Sequence, residues 1–248
     1  MSDSSHGNYV WRMSTGAHPD FASAVRDALA ARANPERAAG QQRYMKSALP
    51  YYGLTSPELA VALRPLLRDP GLVMQSRVEW VATIRELWDE VTHREEWYAA
   101  LALAKRRAYR HWVDSTSMPL WESLIRSGGW WDVVDDIATH LVRDTVLAAP
   151  RVEKPRMRSW AIANSLWVRR AAILCQVGVQ DRLDQRLLAD VIEPNIEDPD
   201  FFSRKAIGWA LRDHARWDPA WVRRFVEEHP ALSGLSRREA LKHVGPAS

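Results

Sequence analysis

The fold is indicated most clearly by residues 128–141, which read GGWWDVVDDIATHL. Four apolar residues recur at the i, i+3, i+4, i+7 spacing of a core-facing helix stripe: Val134, Ile137, Ala138 and Leu141. Two glycines free the backbone just before this pattern, so a helix is predicted over residues 131–145. Trp131 and Asp135 are four residues apart and therefore lie on one face, close to the stripe.

Helical periodicity extends outward from this segment, from Pro19 to about residue 243, and no strand alternation interrupts it. Arg94–Trp112 is predicted to form one helix, and another is predicted over residues 155–163. The fold class is therefore all-α, with about a dozen helices. Pairs of helices recur at roughly 35–40 residues, the spacing of HEAT-like units, which predicts an α-α superhelix with a concave face. A compact helical bundle is the alternative.

Composition places the chain among soluble globular proteins, since 46% of its 248 residues are apolar and 26% are charged. Residues 1–18 are polar and are predicted to form a flexible arm, leaving residues 19–248 as a single domain. No uncharged run is long enough to span a membrane, and no signal peptide is recognised. The one cysteine, Cys175, excludes a disulfide framework and indicates a reducing cytoplasm.

A net charge of +3 is weak evidence for an anionic partner, but the basic residues are clustered. They form four groups on separate predicted helices: Lys105-Arg106-Arg107, Arg169-Arg170, Arg204-Lys205 and Arg237-Arg238. If the helices stack, these groups could line one groove. They could equally be solvated helix faces and partners of helix C-terminal dipoles.

Asp135 and the Arg169-Arg170 doublet are candidates for partly buried charges. The simplest explanation of Asp135, one turn into its helix, is a salt bridge to a neighbouring arginine. The doublet interrupts a largely apolar run, and adjacent helical residues differ by about 100°, so at least one arginine is enclosed. An enclosed arginine needs an anion, for which Asp135 or a phosphate are the candidates.

Trp209 is the second tryptophan of interest, because it lies about 200° around its helix from Ile207. It therefore points away from the apolar stripe of that helix and is either packed on the next repeat or displayed for binding. The neighbouring Gly208 costs helix stability, which the close approach of another backbone, of the protein or of a ligand, would explain.

Several classes of enzyme are not indicated by the sequence. It has no glycine-rich phosphate loop, HExxH, GxSxG or EF-hand motif, and its eight histidines lack metal-ligand spacing. No lysine stands out as a Schiff-base nucleophile. Neither a metal nor a cofactor is expected.

Six segments carry a family resemblance across roughly residues 20–243. They are RYMK (43–46) with YYGL (51–54), IRELWD (84–89), WWD (130–132) with Asp135, Trp167 with RAAIL (170–174), FF (201–202) leading into KAIGW (205–209), and LSRREA (235–240). In order and spacing these resemble the DNA alkylation repair family of HEAT-like-repeat proteins, the AlkD-type alkylpurine DNA glycosylases.

The resemblance implies an enzyme that excises cationic N3- and N7-alkylated purines from duplex DNA. Asp135 would be the catalytic carboxylate, stabilising an oxocarbenium-like transition state and orienting water, without a pocket for a flipped base. Trp131 and Trp209 would pack against the deoxyribose and backbone of the lesion nucleotide. For DNA binding the resemblance gives Arg170 and Tyr44. Five further basic residues are expected to contact DNA phosphates: Lys46, Arg169, Lys205, Arg237 and Arg238.

The resemblance also implies duplex DNA as the partner of a cytoplasmic monomer that needs no membrane or protein partner. Two other functions remain open. One is a non-catalytic HEAT-like-repeat protein that binds damaged or branched DNA. The other is a protein–protein scaffold, for which the basic doublets would not converge and DNA binding would be absent or nonspecific.

Overall fold

The computed structural model describes residues 16–244, and in this part of the chain all regular secondary structure is helical, as predicted. The chain divides into two compact units between Leu103 and Ala104. The prediction of a single domain over residues 19–248 stays a prediction. Among the helices of residues 16–244, none has the length and apolar character needed to cross a membrane.

The first unit contains five helices, α1 (Phe21–Ala30), α2 (Pro35–Met45), α3 (Ser56–Leu66), α4 (Arg77–Asp89) and α5 (Arg94–Ala104), whose last residue begins the second unit. Its most constrained connection is the loop of residues 51–54. The buried Glu95 carboxylate accepts hydrogen bonds from the backbone N–H groups of Tyr52, Gly53 and Leu54 at 3.0, 2.8 and 3.2 Å. Three otherwise unsatisfied donors are thereby paired inside the unit.

Most of the predicted N-terminal arm, residues 1–15, lies outside the described residues. The last residue of that segment, His18, is buried. Its backbone N–H donates to the hydroxyl of Thr83 at 2.8 Å, and its Nε2 lies 3.1 Å from the carbonyl oxygen of Gly71. Residue 18 is thus part of the packed first unit.

The second unit holds α6 (Met118–Gly128), α7 (Trp131–Asp136), α8 (Arg143–Ala148), α9 (Pro150–Ala161), α10 (Leu166–Leu174), α11 (Gln185–Ile192), α12 (Phe201–His214), α13 (Pro219–Glu228) and α14 (Gly234–Ala240). A π-helical segment, Ile137–Val142, joins α7 to α8, so residues 131–148 form one helical stretch. Helix α10 packs against both this stretch and α12. The predicted core stripe is buried along the whole stretch.

Two helix boundaries differ from the prediction by five residues or more. The predicted helix Arg94–Trp112 ends at Ala104, because Lys105 pairs with Asp136 and Arg106 turns to an extended backbone from which it contacts Tyr109. Helix α9 begins at Pro150, five residues before the predicted start, because proline is well suited to the first helical position. Pro155 is accommodated inside α9.

Ion pairs in the second unit connect residues about one helix pair apart. Lys105–Asp136, Asp135–Arg170, Arg169–Asp198 and Lys205–Glu239 are separated by 31, 35, 29 and 34 residues. Equivalent places in successive helix pairs are therefore neighbours in space, as expected for a stack of helical repeats.

The thiol of Cys175 gives a direct test of the packing of the second unit. Burial raises its pKa to about 12. The thiol therefore stays protonated at pH 8, and it is unreactive because the thiolate is the reactive form. We expect the native protein to resist a thiol-reactive disulfide reagent at pH 8 and to release one equivalent of chromophore after unfolding in guanidinium. Rapid labelling of the native protein would contradict this packing.

Candidate functional site

The backbone before α7 sets the position of the first two candidate residues. Gly129 caps α6 in the left-handed conformation, φ 42°, with its N–H donating to the carbonyl of Ile125 at 3.1 Å. Helix α7 then begins at Trp131, as predicted, and Asp135 lies one turn further on. Trp131 is half-buried, and the Asp135 side chain is largely buried. The π-helical segment follows directly, and its Thr139 hydroxyl donates to the backbone carbonyl of Asp135 at 2.7 Å.

Asp135 and Arg170 form a two-pronged ion pair between α7 and α10. Arg170 donates from Nε to Oδ1 at 2.6 Å and from Nη2 to Oδ2 at 2.7 Å. The side chains are 15% and 6% exposed, so the pair is largely withdrawn from water. One arginine of the doublet is therefore enclosed, as predicted, and in this structure its anion is Asp135.

The pKa values of the two adjacent carboxyl groups move in opposite directions. Burial raises the pKa of Asp135, against the opposing effect of the two hydrogen bonds from Arg170. Asp136 is also affected most by burial, but its contacts with His140 and Lys105 outweigh it and lower its pKa. Asp136 is thus firmly held as an anion, whereas the ionised form of Asp135 is less favoured.

An aromatic cluster holds the other side of Arg170. Its Nη1 donates to the carbonyl of Phe202 at 2.5 Å, and its Cζ lies 6.0 Å from the centre of the Phe202 ring. The rings of Trp130, Trp167 and Phe202 are in mutual contact, with centroids 5.1 to 5.8 Å apart. All three nitrogen atoms of the guanidinium therefore donate hydrogen bonds. The group is held in place and orients the Asp135 carboxylate.

Trp209 on α12 is half-buried, whereas the stripe Ile207, Ala210, Leu211 and His214 is buried, so the predicted difference between the two faces is confirmed. The close approach predicted at Gly208 is made by α14. A Cβ at Gly208 would lie 2.6 Å from Cβ of Glu239 and 3.2 Å from the carbonyl oxygen of Ser236. The backbone that requires glycine here belongs to the protein.

Besides Arg170, three of the predicted DNA-binding residues are engaged with the protein. Arg169 pairs with Asp198 at 2.8 Å and donates to the carbonyls of Ala163 and Asn164. Lys205 donates to Glu239 at 2.9 Å. The guanidinium of Arg237 lies 3.4–3.5 Å from carbonyls at the end of α13. Arg237 is thus a partner of a helix C-terminal dipole, the alternative considered above for the basic groups. Their contact with DNA stays a prediction.

The remaining three predicted DNA-binding residues are exposed. Tyr44, on α2 of the first unit, is 78% exposed, and Lys46 follows it in the left-handed conformation at the end of the helix. Arg238, on α14, is also exposed. These side chains are accessible to a large ligand, and their role in DNA binding stays a prediction.

The sequence did not single out Glu239 or the Trp130, Trp167 and Phe202 cluster for a role. Glu239 pairs with Arg212 as well as with Lys205 and so ties α14 to α12. The three rings lie in the segments that carry the family resemblance, and Trp167 and Phe202 follow Trp130 at intervals close to the repeat spacing. Because residues one repeat apart are neighbours in space, this spacing could have predicted that the three rings lie together.

The stacked helices define a helical-repeat protein in which a largely buried carboxylate–guanidinium pair is flanked by aromatic rings. Residues 25–244 match the family model described as DNA alkylation repair enzyme, so the chain belongs to this family. Among solved structures, it is similar to one titled as a predicted DNA alkylation repair enzyme from Enterococcus faecalis. The two share 28% identity with a TM-score of 0.76, over 87% of this chain and 98% of the other. No curated protein matches the chain.

Proposed function

We propose that this member of the DNA alkylation repair enzymes is a monofunctional DNA glycosylase for cationic N3- and N7-alkylated purines in duplex DNA. The observation that carries the proposal is the oriented, largely buried Asp135 carboxylate, with half-buried Trp131 one turn before it. A cationic alkylpurine is already a good leaving group, so the enzyme has little need of acid catalysis. The main requirement is stabilisation of positive charge on the sugar.

Asp135 is suited to that requirement. Departure of the base leaves an oxocarbenium-like sugar, and a fixed carboxylate stabilises this charge and orients the attacking water. Arg170 holds the carboxylate in place through two hydrogen bonds. In the proposed complex, Trp131 and Trp209 offer indole faces to the positively polarised C–H groups of the deoxyribose. The base can then leave without entering a pocket.

The experiment that tests this function is single-turnover release of 7-methylguanine from a defined duplex by the wild-type protein. We expect free base and an alkali-labile abasic site to appear together, in equal amounts and without added metal. The same duplex with unmodified guanine is the control. Release from both duplexes, or from neither, would contradict the proposal.

The alternative of a non-catalytic protein that binds damaged or branched DNA has one observation in its favour. Both oxygens of Asp135 already accept hydrogen bonds from Arg170, as in a purely structural pair. Tight binding to the alkylated or a branched duplex, with no base released, would select this alternative.

The raised pKa of Asp135 predicts the pH dependence of excision. Because the carboxylate must be ionised to stabilise the transition state, activity should fall as the pH drops through its pKa, which burial places above the ordinary value of 3.8. We expect kcat/KM to rise with pH through that pKa and then to level off. The spontaneous release rate is subtracted, and circular dichroism confirms folding at each pH. Activity that is constant, or that increases towards acid, would exclude an ionised Asp135 as the essential group.

A further inference from the structure

A second basic site lies in the second unit, away from the Asp135–Arg170 pair. It is a cavity of about 410 Å³ lined by Arg110, by Arg143 and Asp144 of α8, and by Gly178 and Arg182 of the loop after α10. None of its arginines belongs to the basic doublets of the sequence. They come from three separate segments of the chain, 33 and 39 residues apart, close to the repeat spacing.

The charges around this cavity are unbalanced. Asp144 is the one carboxylate among the residues that line it. It accepts from Nε and Nη2 of Arg143 at 3.1 and 3.0 Å and lies 3.5 Å from Nη2 of Arg110, which is 75% exposed. Arg182 is exposed, and within residues 16–244 it makes no ion pair. Among the lining residues, three guanidinium groups stand against the one carboxylate of Asp144. Counting Asp213, which holds the Gly178 N–H at the rim, one positive charge remains in excess.

The space beside Arg143 is kept open by Gly178. This residue has φ 79°, and a Cβ at its position would lie 3.3 Å from Nη1 of Arg143. Since Nε and Nη2 are occupied by Asp144, Nη1 is the part of the guanidinium next to this gap. The Gly178 N–H is held by Asp213 at 2.7 Å, which fixes the loop at the rim. A planar donor group is therefore oriented before any ligand arrives.

We propose that this cavity binds a phosphate group. Arginine side chains match the geometry and charge of phosphate oxygens, and Asp144 orients one of them without neutralising the cavity. The phosphate can belong to a DNA strand, in which case the inference rests on the proposed function, or to a free phosphate compound. The position of the cavity relative to Asp135 favours a phosphate of a DNA strand. Arg143 follows Asp135 by eight residues on one helical stretch, at most about 12 Å along its axis, or about three nucleotides of rise.

The first arm of the test measures affinity for an undamaged duplex over a range of KCl concentrations. We expect Arg182→Ala, and separately Arg110→Ala, to make the negative slope of log K against log salt less steep by about 0.9, the loss of one phosphate contact. The matched control is Arg186→Ala, which removes an exposed arginine of α11 that does not line this cavity. Because no lesion is present, the result does not depend on whether the protein excises bases.

The second arm tests for a free phosphate compound, with inorganic pyrophosphate as the probe and thermal unfolding as the readout. If the salt slopes are unchanged but pyrophosphate raises the Tm of the wild type and Arg186→Ala and not that of Arg182→Ala, the site binds phosphate from a free compound. The proposal is overturned if neither arm separates Arg182→Ala from the wild type. It is also overturned if Arg186→Ala changes the salt slope as much, because the effect would then be one of net charge.

Discussion

Asp135→Asn is expected to slow alkylpurine excision at least about a hundredfold while leaving the affinity for undamaged duplex close to that of the wild type. The substitution keeps the size of the side chain and one acceptor for Arg170, but it removes the charge that would oppose the developing cation. Single-turnover release of 7-methylguanine, with both proteins saturating the same duplex, measures the effect on the chemical step.

The same substitution has a structural cost that must be separated from catalysis. Arg170 is 6% exposed, so losing its counter-charge leaves a buried cation unpaired and should lower the free energy of unfolding by about 3 kcal/mol. The matched control is Arg170→Gln, alone and combined with Asp135→Asn. In the double variant no buried charge is left, so we expect stability to recover while excision stays lost.

Two results would contradict the catalytic assignment of Asp135. One is excision at the wild-type rate by the folded Asp135→Asn protein. The other is recovery of excision in the double variant, which would show that the single variant failed because Arg170 was left unpaired. Either result would leave a structural ion pair at the centre of the site.

Gly53→Ala is expected to be the most damaging single-methyl change in the first unit. Gly53 has φ 92°, and a Cβ there would lie 2.1 Å from the carbonyl oxygen of Asn34 and 2.9 Å from the backbone nitrogen of Ala38. Both are backbone atoms at the start of α2 and cannot rotate aside. Left-handed strain adds to the clash, so we expect the free energy of unfolding to fall by about 4 kcal/mol or more, measured by urea denaturation.

Gly40→Ala is the matched control, because it adds the same methyl group to the same unit. Gly40 lies inside α2, and a Cβ there would meet nothing within 4 Å. Removing a glycine from a helix interior should stabilise the protein by about 1 kcal/mol. The two urea midpoints should therefore move in opposite directions. A midpoint for Gly53→Ala at or above that of the wild type would show that the 51–54 loop can adopt another conformation.

Local sequence was sufficient to predict the helices and part of the site. Periodicity placed the start of α7 at Trp131 and the buried stripe of α12, because both follow from residues within one helix. The enclosure of one arginine of the doublet followed from the 100° step between adjacent residues. Asp135 was a candidate anion because it lies one turn into its helix, close to the apolar stripe.

The features that the sequence could not predict depend on the register between helices. Glu239 reaches Lys205 and Arg212 only because α14 packs tightly at Gly208, and nothing within either helix reveals that approach. The early end of α5 has the same origin, since Lys105 leaves a helical pattern to reach Asp136. The arginine cavity joins Arg143 of α8 to Arg110 and Arg182, which lie outside the α-helices, so no pattern within one helix predicts it.

The one-repeat separation of the ion pairs has a consequence for the order in which the site forms during translation. Asp135 and Arg170 are 35 residues apart, so they can meet as soon as α10 has left the ribosome, a few seconds after α7 at ordinary elongation rates. The carbonyl of Phe202, which accepts the hydrogen bond from Nη1 of Arg170, emerges 32 residues after Arg170 and is followed by Trp209. The nascent chain therefore has a stage at which the carboxylate is already paired but the aromatic support of its partner is still unmade.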